Sequence, residues 1–90
     1  MSPDEALALA EAEVTKIGMA CEEDLMLSGQ RVEVDEGWVF FYNTREFVET
    51  GNLSSQLAGN GPIFIDCDGR IHALPTSVPW EVALQKLRKP

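Results

Sequence analysis

The sequence predicts a single α+β domain: a four-stranded antiparallel sheet with an N-terminal and a C-terminal helix packed on it. Three observations carry that expectation. The stretch Gly37-Trp38-Val39-Phe40-Phe41-Tyr42-Asn43 is apolar from 38 to 42 and holds four of the chain's seven aromatic residues. Side chains alternate faces along a strand, so Trp38, Phe40 and Tyr42 project to one side and Val39 and Phe41 to the other. A strand apolar on both sides belongs mid-sheet, with something packed on each face. The two ends of the chain carry apolar residues at helical spacing, and strand-like runs separated by Gly, Asp, Asn and Pro lie between them.

Taken in order, Ser2-Pro3-Asp4-Glu5 is a helix start, with Ser2 as cap, Pro3 at the first position and Glu5 three residues on as a capping box requires. Ala6, Leu7, Ala10, Val14 and Ile17 form one stripe, and the helix is expected to run to about Ile17 with Gly18 as its stop. From Met19 to Asp35 the pattern loosens. Leu25-Met26-Leu27 opens a strand, Ser28-Gly29 reads as a bulge or turn, and Arg31-Val32-Glu33-Val34-Asp35 alternates, which suits one kinked strand or two short ones. Asp35-Glu36-Gly37 then turns the chain antiparallel into the central strand.

The stretch Thr44 to Asn52 reads as a polar insert with two apolar anchors, Phe47 and Val48. Leu53 to Ala58 is compatible with one helical turn stopped by Gly59, and Asn60-Gly61-Pro62 with a tight loop. Pro62 to Leu74 is a hairpin with two competing registers. A two-residue Asp68-Gly69 loop would mix polar and apolar residues on each face. A type I turn over Asp66 to Gly69, with Gly69 left-handed, pairs Asp66 with Arg70 and aligns Ile63, Ile65, Ile71 and Ala73, so it is preferred. Phe64, Asp66, Arg70 and His72 then share the other face. After a connector with two prolines, Trp80 to Lys89 reads as a final helix, with Pro79 at its first position and Trp80, Ala83, Leu84 and Leu87 as its stripe. Lys86, Arg88 and Lys89 suit its C-terminal dipole.

Composition narrows function. With 90 residues there is room for one core, and a hydrophobic fraction of 44% argues against disorder. No apolar run is long enough to span a membrane, and the N-terminus lacks the pattern of a signal peptide, so the cytoplasm is the expected compartment. Cys21 and Cys67 are the only cysteines and are expected to be reduced thiols. The net charge of −8 is lopsided: ten acids and two bases lie in Met1 to Glu36, five of each in the remainder. Such a surface repels phosphates and anionic lipid, which counts against nucleic-acid and membrane partners, and it steers a basic protein toward it. A solubilising face is the plainer account of the same charge.

Other constellations are weaker. Cys67 and His72 flank one turn, but in the preferred register they point to opposite faces and lack an orienting third residue. Metal binding would need both cysteines, His72 and a carboxylate with no ligand spacing to suggest it, so no cofactor is expected. Asp66-Cys67-Asp68-Gly69 opens like a calcium loop but lacks its later ligands. The glycines of Ala58 to Pro62 lead into a strand rather than a helix, unlike phosphate loops, and the aromatic run has no basic neighbours for stacking bases. Asn52-Leu53-Ser54 matches a glycosylation sequon, a triplet that often arises by chance.

The blocks Gly37-Trp38-Val39-Phe40-Phe41-Tyr42-Asn43, Leu57-Ala58-Gly59-Asn60-Gly61-Pro62 and Gly69-Arg70-Ile71-His72, followed by the connector and last helix, resemble the YrhB-like or immunity protein 35 family of small bacterial proteins. The resemblance covers most of the chain. It implies an antidote in a toxin system, with a chaperone-like role for some relatives, and no catalytic residues. Its motif positions Trp38, Tyr42, Asn43, Gly59, Asn60 and Pro62 read as fold determinants as much as contacts. The expectation is therefore a non-enzymatic binding domain for a cognate protein toxin. The candidate partner-binding residues are Glu22, Glu23, Asp24, Glu33, Asp35 and Glu36, chosen for charge and exposure. The alternative is a holdase or scaffold, dimeric through an open sheet edge; an enzyme using Cys67 or His72 ranks third.

Overall fold

The computed structural model describes residues 2–57, 61–75 and 78–88. Helix α1 spans Pro3–Cys21, strand β1 Leu25–Val34, strand β2 Gly37–Thr44, helix α2 Arg45–Thr50, strand β3 Ile63–Asp66, strand β4 Ile71–Ala73 and helix α3 Trp80–Arg88, with a 3-10 turn at Leu53–Ser55. The four strands form one antiparallel sheet in the order β1-β2-β3-β4. The expected α+β architecture holds.

The capping box forms as the sequence predicts. Ser2 Oγ accepts from the Glu5 N–H at 3.2 Å, and Glu5 Oε1 accepts from the Ser2 N–H at 3.0 Å. The Ser2 N–H, with the Ser2 hydroxyl beside it, holds the Glu5 carboxyl below its ordinary value, since a hydrogen bond donated to the carboxylate favours its charged form. The other end of α1 differs from expectation. Gly18 does not stop the helix, which continues a further turn to Cys21 and is capped by Glu22 in the left-handed conformation (φ 58°). Gly18 is a close-approach residue instead: a Cβ there would lie 2.5 Å from the Glu23 carbonyl oxygen, because the chain entering β1 crosses directly against it. The Glu23 N–H donates to the Gly18 carbonyl at 2.9 Å, fastening that crossing.

The sheet is buried on both faces. Ala6, Ala10 and Val14 of α1 pack on Leu25, Trp38, Phe40, Ile63 and Ile65, and on the opposite face Ala83 and Leu84 of α3 pack on Val39, Phe64 and Leu74. Val39, Ile65, Ala6 and Ala10 are completely inaccessible. Trp38, Val39 and Phe40 of the aromatic strand are thus interior, with Phe41 and Tyr42 half-buried beyond them, and the two alanines bring α1 close to the sheet. Because α1 lies over β1, β2 and β3, the outer strand β4 is left uncovered and Ile71 remains 39% exposed.

β1 is one kinked strand. Its pairing with β2 shifts register between Leu27 and Arg31, with Gly29 at φ 91° in the irregularity. The second hairpin takes the preferred register, Ile63 facing Ala73, Phe64 facing His72 and Ile65 facing Ile71, with Gly69 at φ 85° and the Asp66 N–H donating to the Arg70 carbonyl at 3.0 Å. In the first hairpin a Cβ on Gly37, at φ 153°, would lie 2.0 Å from the Ile65 carbonyl oxygen, so only glycine fits. The segment Thr44–Asn52, read as an irregular insert, contains α2. The carbonyl of Pro79 accepts from Val82 and Ala83, which sets Pro79 just before α3 rather than within it. The expected stop at Gly59, the residues Ala58 and Asn60, and Lys89 lie outside the described residues.

Candidate functional site

The acidic residues singled out by sequence fall into two groups at opposite ends of β1. Glu22, Glu23 and Asp24 form the exposed link from α1, and Glu33, Asp35 and Glu36 surround the turn into β2, with Glu36 half-buried and the others exposed. The paired length of β2 between them holds the two groups roughly 25 Å apart. They form two surfaces, not one.

At the first end, short elements build a concave polar surface. Thr44 closes β2 and caps α2, its hydroxyl accepting from the Phe47 N–H at 3.1 Å and donating to the Ser55 carbonyl at 2.7 Å. Gly51, at φ 74°, ends that helix. Asn52 caps the 3-10 turn by accepting from the Ser54 N–H, and the Ser55 hydroxyl donates to the Glu46 carboxylate. Between this turn, α2 and the α1–β1 link lies a cleft of about 640 Å³, lined by Glu23, Asp24, Arg45, Glu46, Glu49 and Leu57 among others. A second cleft of about 360 Å³ shares Glu23, Asp24 and Arg45 and adds Met19.

Arg45 is the single guanidinium among these carboxylates. Its Nε lies 3.2 and 3.1 Å from the two Asp24 oxygens, and its Nη1 4.0 Å from Glu49. These pairs are exposed, so they orient the groups more than they stabilise the fold. Met19 and Leu53 are 78% and 76% exposed beside this acidic surface. Glu46, Glu49 and Arg45 were not anticipated from sequence, because a helix of six residues is too short to show a period. The signal present was Thr44 as a cap and Gly51 as a stop.

At the second hairpin, His72 stacks on Phe64 with ring centroids 5.5 Å apart, and its Nε2 lies 3.0 Å from Asp66 Oδ2. Asp66 Oδ1 accepts from the backbone N–H groups of Asp68 and Arg70, both at 2.9 Å. Partial burial pushes the Asp66 carboxyl up, but the hydrogen bonds from His72, Arg70 and Asp68 outweigh it and leave the group below its ordinary value. This is a satisfied structural cluster at a turn. Cys67 is exposed, its sulfur contacting the Asp35 carbonyl at 4.0 Å, while the imidazole is engaged by Asp66. Cys21 is also a free, exposed thiol. Burial, with Cys21 and Glu13 nearby, raises the Tyr42 hydroxyl above its ordinary value.

Among the described residues, no three His, Cys, Asp or Glu side chains are grouped so as to hold a metal ion, and no helix is long and apolar enough to cross a membrane. What the geometry defines is a small α+β domain with a core on both faces of its sheet and acidic, partly concave surfaces. The immunity protein 35 family matches the chain over residues 4–87, and the chain belongs to that family. It is also similar to the uncharacterized protein YrhB of Escherichia coli (strain K12), with 51% identity over 51 residues, 56% of this chain and 54% of that protein. The chain thus spans about half the length of the curated relative it matches. No solved structure matches it. Immunity proteins as a family are generally non-enzymatic.

Proposed function

We propose that this chain is an antidote: it binds a cognate bacterial toxin and neutralises it by occlusion. The family match over residues 4–87 carries the proposal. Charge supports it, because an acidic surface attracts a basic protein from a distance and sets its orientation before contact. The partner residues drawn from the sequence are Glu22, Glu23 and Asp24 at one end of β1 and Glu33, Asp35 and Glu36 at the other. Glu46 and Glu49 join the first of these groups through the shared cleft, and exposed Met19 and Leu53 supply apolar contact beside it.

The test is co-expression with the toxin domain encoded beside the gene in its host. Protection of growth, with a complex that co-purifies, is the expected result. Growth arrest that the chain does not relieve, with no complex, would remove the antidote role. If the purified chain instead suppressed heat aggregation of unrelated proteins, the holdase alternative would replace it.

A further inference from the structure

We infer that the outer edge of β1 pairs with the same edge of a second copy, giving a two-fold symmetric dimer with a continuous eight-stranded sheet. Ladder parity decides which backbone groups of β1 face outward. The Cys67 N–H donates to the Glu36 carbonyl at 2.9 Å, and the Asp66 N–H to the Arg70 carbonyl at 3.0 Å. In an antiparallel ladder, residues alternate between bonding one neighbour and the other. Even-numbered residues of β2 therefore turn toward β3, and Gly37 and Val39 turn toward β1, where they face Val34 and Val32. Arg31 and Glu33 consequently direct their N–H and C=O groups away from β2. β1 is an end strand of the sheet, and no backbone bond to another element meets those groups among the described residues.

A second copy can satisfy these groups only if outward-facing residues meet each other. Three two-fold registers do that. Arg31 opposite Arg31 and Glu33 opposite Glu33 place like charges together, which destabilises a sheet. The remaining register, centred on Val32, sets Arg31 of each copy opposite Glu33 of the other, twice by symmetry. Both side chains are exposed and neither has an ion pair within the chain among the described residues. Isolated charges on an edge ordinarily discourage pairing. Here the two are opposite in sign and spaced so that antiparallel self-pairing makes them complementary, and Val32 meets Val32 on the other face. The bulge at Gly29 limits the paired stretch to Gln30–Val34. The interface is accordingly small, and the dimer is weak and concentration-dependent.

Sedimentation velocity of the full chain across a wide concentration range tests this. The wild type is expected to pass from monomer to dimer. Arg31→Glu and Glu33→Arg each put like charges opposite and should weaken association by about tenfold or more. The double variant Arg31→Glu with Glu33→Arg exchanges the charges and should restore it, with circular dichroism confirming the fold throughout. A wild type monomeric at every concentration, a dimer indifferent to either single change, or a double variant no better than the singles would each overturn the assignment. None of these outcomes depends on whether the chain binds a toxin.

Discussion

The side chain of Asn43 grips the backbone of Leu57 from both sides: Oδ1 accepts the Leu57 N–H at 2.7 Å while Nδ2 donates to its carbonyl at 3.5 Å. Oδ1 also accepts the Thr44 N–H at 2.8 Å. One amide thus does what a strand pairing would do for a segment that has no strand. It ties the 3-10 region and one wall of the cleft to the end of β2. Asn43→Ala should cost about 2 kcal/mol in urea unfolding, because three part-buried backbone groups, the Leu57 N–H and carbonyl and the Thr44 N–H, lose their partner. Amide exchange at Leu57 should accelerate more than at Phe40. Asn43→Asp, which keeps the acceptor, should cost less.

Gly18 gives a substitution whose sign contradicts helix propensity. Replacing a helical glycine by alanine ordinarily stabilises by up to about 1 kcal/mol. Here the added methyl would meet the Glu23 carbonyl oxygen at 2.5 Å, and a backbone atom cannot swing aside. Gly18→Ala is expected to destabilise by about 1–3 kcal/mol, read as a lower urea midpoint at unchanged slope. A stabilised variant would show that the α1–β1 crossing can open to admit a methyl group.

Asp66 sets a pH dependence whose direction follows from its depressed folded pKa. In the unfolded chain it titrates near 3.8 and in the fold lower, so its contribution is full above the unfolded value and disappears as pH falls through the folded one. Asp66→Asn keeps an oxygen for the Asp68 and Arg70 N–H groups but loses the charge facing His72. The stability gap between wild type and this variant should shrink as pH falls from about 5 through the folded value. A gap that persisted undiminished under acid conditions, below that value, would contradict the assignment.

Toxin association is expected to depend on salt. Raising ionic strength from about 0.05 to about 0.5 M should slow association roughly tenfold while changing dissociation little. Glu23→Gln with Glu49→Gln should reproduce part of that loss at low salt if the cleft end meets the toxin, and Glu33→Gln with Asp35→Gln if the hairpin end does. Stopped-flow fluorescence of Trp38 or Trp80 follows both pairs.

Much of the fold was legible because its determinants are local. The capping box of Ser2 and Glu5, the bulge at Gly29 and the Asp66–Gly69 turn are each specified by residues a few positions apart, and each formed as read. Gly18 was misread for the converse reason. Its role depends on Glu23 and Leu25 returning across the helix, and nothing local separates a glycine that ends a helix from one that admits a neighbour. α2 was missed because six residues carry no periodicity. The acids were legible as charges but not as places: their division between the two ends of β1, and the partnership of Asp24 with Arg45, arise only when the chain is folded.

The sequence alone determined the two-faced central strand, because alternation along β2 makes both sides apolar wherever the strand is placed. It also settled the family and the sign of the surface charge. Only the tertiary structure decided which carboxylates share a cleft and which backbone groups of β1 face outward. Such relationships join residues remote in the chain, through packing and ladder parity that no short stretch encodes.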